Sequence, residues 1–308
     1  MAYGLIADKL SSNEFVLLDG ATGTELERRG VPMDADAWCG PSVAEHGDVL
    51  RAIHEDYLNL GCDIITANTF ASGPGMLRAA GQEHAHRFLI ERAVAIAREA
   101  IAACGNDNSA VVAGSMSHMI PVLAGTDAVD PALGEVPDGF IEDCEGHASA
   151  LVDAGVDMIL LEMMYHPHRA AIAMNAACAT GLPVWFGLSV REGSNGSPVL
   201  FDQHAERPIN ELFDLLDARV SAVSIMHSRA DLIEPAIEQL RLHWNGPIAV
   251  YPDSGHFEMP QWNFDDVMTA DAFAGYAKRW RDLGCCAVGG CCGLGPDHIA
   301  QLAAWRSV

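Results

Sequence analysis

An α/β barrel of eight strand-helix units, a (β/α)8 barrel, is the fold that this 308-residue sequence predicts. Eight short apolar, β-branched runs recur along the chain, helix-spaced apolar residues lie between them, and the length matches that of eight such units. Strands that alternate with helices pair in parallel, and eight of them allow the sheet to close on itself. Residues 1–308 are read as one domain, because the helical and strand patterns resume at once beyond each long connection.

The first run, Phe15 to Asp19, leads into Asp19-Gly20-Ala21-Thr22-Gly23-Thr24. These small residues precede a helix expected near Glu25, whose free backbone N–H groups can hold a carboxylate. Asp19 is then either a pocket carboxylate or a helix N-cap. The second run is Asp63 to Ala67; a helical segment, His86 to Ala103, precedes the third, Ala110 to Gly114. Another helical segment, Ile141 to Ala154, precedes the fourth, Met158 to Glu162, where Glu162 stands in an otherwise apolar stretch. A buried carboxylate needs a cationic or hydrogen-bonding partner, either a substrate ammonium or a structural group. The fifth run is Val184 to Val190, and the sixth, Ala222 to Met226, is followed by His227 and a helix over Leu232 to Leu242. Ile248 to Tyr251 leads to Asp253, and Cys285 to Val288 leads to Gly289-Gly290-Cys291-Cys292-Gly293. Two connections, Ser115 to Asp138 and Arg191 to Pro208, are longer than the fold needs. Both follow strands and are expected on the catalytic face.

Composition removes several classes of function. With 42 Asp+Glu against 18 Lys+Arg, the formal net charge is −24, which repels nucleic acid and anionic membrane surfaces. The scattered acidic residues read as a solvated surface. No run of about 18 apolar residues occurs, and Asp8, Lys9 and Glu14 interrupt the N-terminus, so a cytoplasmic protein is expected. Nine cysteines, an odd and unevenly spaced set, suit reduced thiols better than a disulfide scaffold.

In such a barrel the reactive groups project from the C-terminal ends of the strands. Asp19, Glu162, His227, Asp253 and the Cys291-Cys292 pair all fall there. Two adjacent thiols make a poor disulfide and a good soft-metal site once a third ligand arrives. Cys291, Cys292 and His227 make a three-ligand zinc site with an open position, where an arriving thiol would be held as thiolate. His227 is otherwise a satisfied core histidine, and Cys285 and Cys286 read as small buried hydrophobes.

Taken together, Leu18-Asp19-Gly20-Ala21-Thr22-Gly23-Thr24, Ile65-Thr66-Ala67-Asn68-Thr69-Phe70, Ala113-Gly114-Ser115, Tyr251-Pro252-Asp253-Ser254-Gly255 and Gly289-Gly290-Cys291-Cys292-Gly293 resemble the homocysteine S-methyltransferase family. That family includes the betaine- and S-methylmethionine-homocysteine methyltransferases. The resemblance implies a zinc barrel that activates homocysteine for attack on an onium methyl group, giving methionine. It implies that Asp19 and Glu162 bind the amino group of homocysteine, the Gly20, Ala21, Thr22, Gly23 and Thr24 backbone its carboxylate, and Cys291 and Cys292 the zinc. Only 16 residues follow Cys292, so no corrinoid or folate module is expected, which favours a free donor such as S-methylmethionine, a betaine or another sulfonium. Methyl cations favour aromatic faces. Trp38 resembles the donor-site tryptophan of the betaine enzymes, with packing as its other reading, and Phe70 falls near a second aromatic position. Met163 and Met164 stand where those enzymes have an aromatic residue.

Two positions depart from the family. Its first zinc cysteine, in an Asn-Cys pair after the sixth strand, is replaced by Met226-His227, and its Pro-Asn-Ser-Gly asparagine is Asp253. The first change removes a negative charge from the metal shell and the second adds one nearby. Asp253 is therefore expected to ligate zinc or to orient His227. The same changes leave room for a different small thiol, for demethylation of an onium compound as the purpose, or for a metal-binding homologue without turnover. Oligomeric state is not legible in one sequence.

Overall fold

Each of the eight apolar runs forms a strand of one parallel sheet: β1 Val16–Leu17, β2 Ile64–Ala67, β3 Val111–Ser117, β4 Met158–Met164, β5 Val184–Leu188, β6 Ala222–Arg229, β7 Ile248–Asp253 and β8 Ala287–Val288. The structure, a computed structural model, describes residues 3–105 and 110–306. Neighbours follow chain order from β2 to β8, and β8 returns to β1 through Val16 opposite Ala287 and Leu17 opposite Val288. A parallel bridge between Leu18 and Ile64 closes β1 onto β2. The result is the expected (β/α)8 barrel.

Why these runs are legible is visible in their burial. β4 is buried at all seven positions, because one face fills the barrel and the other meets the helices. The helices show the complementary period. His86–Cys104 buries Leu89, Ile90, Ala93, Val94 and Ala97 along one stripe and ends at Gly105, whose φ of 71° is the left-handed cap that glycine accepts. Phe140–Ala154 covers the outside of the sheet in the same way, and Ala230–Arg241 follows β6. Between β5 and β6 a 3-10 helix, Ile209–Leu215, takes the place of an α-helix.

One expected strand is shorter than its apolar run. Val184 to Val190 divides at Leu188, and Val190–Glu192 pairs antiparallel with Pro198–Leu200 in a hairpin outside the barrel. The Gly193 N–H donates to Ser197 O (2.8 Å), and the turn this closes folds the chain back.

The N-terminal end of the barrel is tied by Asp63. Its carboxylate accepts from the Leu17 N–H (2.8 Å) and pairs with Lys9 (2.6 Å) and Arg306 (2.7 Å), joining helices from both ends of the chain. Conserving strength at this end leaves the opposite end free for chemistry. All nine cysteines are unpaired thiols, and no helix among the described residues is long and apolar enough to cross a membrane.

Candidate active site

The C-terminal ends of the strands open into one cavity, lined by Asp19, Gly20, Ala21, Thr22, Gly23, Trp38, Phe70, Glu162, His227, Cys291 and Cys292 among others. Sequence reasoning had singled out every one of these. Two more expected site residues stand apart. Thr24 is fully buried and its hydroxyl accepts from the Gly293 N–H (2.9 Å), locking the first turn to the cysteine turn. Asp253 ends β7 outside the cavity lining, with Oδ1 buried and without a hydrogen-bond partner.

Two β-bulges aim the reactive side chains. Leu161 pairs with Phe186 and Met164 with Leu188, so Glu162 and Met163 together face Gly187. Met226 pairs with Tyr251 and Arg229 with Asp253, so His227 and Ser228 face Pro252. Met163 (φ 56°) and His227 (φ 42°) lie in the left-handed region that side chains disfavour, the kind of strain that bulges concentrate beside active sites. Met226 braces both bulges: its thioether accepts from the Met163 N–H (3.1 Å) and from the Ser189 hydroxyl (3.2 Å).

His227 Nδ1 lies 3.6 Å from Cys291 Sγ, which is 3.9 Å from Cys292 Sγ, and one ligand atom of each residue falls within 4.8 Å of the others. Zinc bound tetrahedrally at about 2.3 Å from sulfur and about 2.05 Å from nitrogen requires edges of about 3.8 Å between sulfurs and about 3.6 Å from sulfur to nitrogen. The His227–Cys291 and Cys291–Cys292 spacings match those edges, and the two thiols and imidazole are donors that zinc accepts. Contact with Cys292, and then burial, pushes the Cys291 thiol well above its ordinary pKa, so a cation is needed to make it a thiolate. Burial alone would lower His227, but the Asp253 carboxylate and Cys291 outweigh it and hold the imidazole up at about 9. Asp253 thus stands beside the imidazole and outside the ligand trio.

Across the cavity, Asp19 accepts from the Thr66 N–H (2.7 Å) and the Thr66 hydroxyl (2.9 Å), which removes the N-cap reading. Burial pushes its carboxyl up to about 7, opposed by those two bonds and reinforced by the charge of Glu162. Burial also raises Glu162, opposed by the Ser115 hydroxyl that donates to it. No Lys or Arg lines the cavity among the described residues, and the His227 imidazole is the cationic group whose charge is felt at Glu162, so neither buried carboxylate has an ammonium or guanidinium partner. The Trp38 indole N–H, on a cavity residue, is buried without a partner. The Ala21 N–H is already spent on Leu294 O (3.0 Å), which takes it out of any carboxylate cradle at this turn.

Glycines let the cysteine turn approach. A Cβ on Gly289 would lie 2.6 Å from Asp19 O, and one on Gly293 (φ 81°) would collide with the Ser254 carbonyl. Replacing Gly293 by alanine is expected to destabilise the fold by about 2–4 kcal/mol, from strain and overpacking together. An unchanged Tm in a thermal melt would contradict this.

The homocysteine S-methyltransferase model matches residues 16–305. The chain belongs to that family. Homocysteine S-methyltransferase YbgG of Bacillus subtilis is 27% identical over 316 residues, covering 96% of each chain. A selenocysteine methyltransferase of Astragalus bisulcatus is 26% identical over 328 residues, covering 98% of this chain and 96% of that protein. In fold, the chain matches the metallated homocysteine methyltransferase MmuM of Escherichia coli with a TM-score of 0.75 at 23% identity, over 98% of this chain and 99% of that one.

Sequence reading missed much of the cavity's upper wall: Asp127 from the loop after β3, Phe201 from the loop after β5, and Phe257, Met259 and Trp262 from the segment after β7. The two long connections did signal that the first two loops reach the catalytic face. Nothing in the residues His256 to Asn263 marks the hairpin that they form.

Proposed function

We propose that the protein is a zinc-dependent homocysteine S-methyltransferase, a cytoplasmic enzyme that passes a methyl group from an onium donor to homocysteine and yields methionine. His227, Cys291 and Cys292 hold the metal. Bound there, zinc supplies a Lewis acid that keeps an incoming thiol as its thiolate at neutral pH. Asp19 and Glu162 grip the substrate ammonium, Gly20, Thr22 and Gly23 of the first turn offer backbone N–H groups to its carboxylate, and Asp253 steadies the imidazole of His227. The sulfur lone pair then forms the new bond to carbon as the methyl leaves its donor heteroatom, which departs with the bonding pair. Trp38 and Phe70 flank the donor.

The observation that supports this reading is the cluster of His227, Cys291 and Cys292, with its two shorter spacings at the edges a zinc tetrahedron needs, in the same cavity as two buried carboxylates without a Lys or Arg partner. The test compares zinc content in the wild type and in His227→Ala, then methionine formation from homocysteine with S-methylmethionine, betaine and dimethylsulfonium donors. Near-stoichiometric zinc, reduced in the variant, with methionine from one donor supports the reading. Zinc unaffected by the substitution removes His227 from the site, and zinc without methionine from any donor removes the reaction.

A further inference from the structure

The upper wall of the cavity carries a charge that the reaction has not used. Asp127 lines the cavity and is half-buried, and its Oδ2 accepts from Gln203 Nε2 (3.0 Å). Among the described residues no Lys or Arg pairs with it, and none lines the cavity. Asp127 sits in a built loop. Val122 and Val129 pair antiparallel at its base, and the Ala128 N–H donates to Thr126 Oγ1 (3.1 Å). The tip is paired to the hairpin after β7, with Gly125 N–H to Met259 O at 2.9 Å and Met259 N–H to Thr126 O at 3.0 Å.

That hairpin supplies an aromatic wall. Trp38 meets Phe257 edge-on at 5.6 Å, Phe257 lies 6.2 Å from Trp262, and Trp262 lies 5.9 Å from the His227 ring. The wall therefore runs from the family's donor-side tryptophan position to the metal ligands. Aromatic faces attract a methylated cation, and a carboxylate beside them adds a full charge. Neither feature offers anything to an anion.

We propose that Asp127 and the Phe257–Trp262 wall form the methyl-donor site, and that Asp127 selects onium donors of net positive charge over zwitterionic onium acids. This rests on the methyl-transfer reading above and deepens it. Asp19 and Glu162 serve the acceptor, so a third carboxylate without a Lys or Arg partner is left for the donor. A donor that brings its own carboxylate would set it against Asp127 with no basic residue to receive it.

The experiment measures binding by calorimetry, without turnover, for tetramethylammonium (net +1) and glycine betaine (net zero) on the zinc-loaded protein. The wild type is expected to prefer tetramethylammonium by about tenfold, the effect of one partly screened charge. Asp127→Asn, which keeps the size and the Gln203 contact, should shrink that preference to less than about threefold while the KM for homocysteine stays put. Phe257→Leu should weaken both ligands and leave their ratio intact. A ratio unchanged in Asp127→Asn, or a wild type that prefers betaine, overturns the proposal. Because the ratio is read without chemistry, a cation preference in a protein that makes no methionine from trimethylsulfonium would refute the methyl-transfer reading alone.

Discussion

Replacing Cys291 by serine is expected, on the proposed zinc chemistry, to abolish both metal binding and methyl transfer. Zinc sites built from four ligands are worth about 10–16 kcal/mol, so one ligand carries roughly 3 kcal/mol, or a factor of about 100 to 1000 in affinity. The rate should fall at least as far, because serine leaves His227 and Cys292 to hold a metal that must also hold the acceptor. Cys286→Ser provides the contrast. Cys286 lies two residues before Val288, is buried, and its thiol contacts Ile248 O rather than another ligand. It should lower Tm and leave zinc content alone. Equal zinc in the wild type and Cys291→Ser, measured by atomic emission after dialysis, would defeat the metal assignment.

A second large effect is expected at Asp19. Its carboxyl is raised from 3.8 to about 7 by burial, so the folded protein holds that proton more tightly than the unfolded chain does. In the ligand-free protein, stability should accordingly fall as pH rises from about 4 to about 7, and level off beyond. An ammonium ligand needs the ionised form, so affinity should move the other way. Norleucine, an amino acid without a thiol, isolates this contribution from metal chemistry. Its affinity should rise about tenfold between pH 6 and pH 8, following the ionised fraction of one group titrating near 7. Asp19→Asn should weaken norleucine about thirtyfold, the loss of a charge-assisted contact, and remove most of the pH dependence. A flat pH profile in the wild type would show that Asp19 does not hold the ammonium.

The barrel was legible because both faces of its strands are buried, which turns each into an uninterrupted apolar run such as Met158 to Leu161. The polar residues that line the cavity were legible because each stands at the end of such an apolar run, as at Asp19, Glu162 and His227. The bulges were not. Nothing in the composition of Glu162-Met163 or His227-Ser228 says that two residues face one, since the extra residue is accommodated by Gly187 and Pro252 on the neighbouring strands. The upper wall was hidden for a different reason: Asp127, Phe201 and Trp262 are far apart in the chain, and only loop pairing brings them to one rim. Asp253 illustrates the limit of charge counting. Its carboxylate holds the His227 imidazole up, and the cluster of possible metal ligands among the described residues, His227, Cys291 and Cys292, does not include it.

The closing of β1 onto β2 by a single bridge gives Asp19 another character. Its carboxylate reaches from the end of β1 to the backbone and hydroxyl of Thr66 on β2, so one side chain both faces the cavity and fastens the narrowest seam of the cylinder. On the proposed role of Asp19, an ammonium bound there would favour the ionised carboxylate that Thr66 also holds, and the Thr66 amide would report it: its hydrogen exchange should slow as the acceptor site fills, while amides at the Asp63 end of the same strand keep their rate.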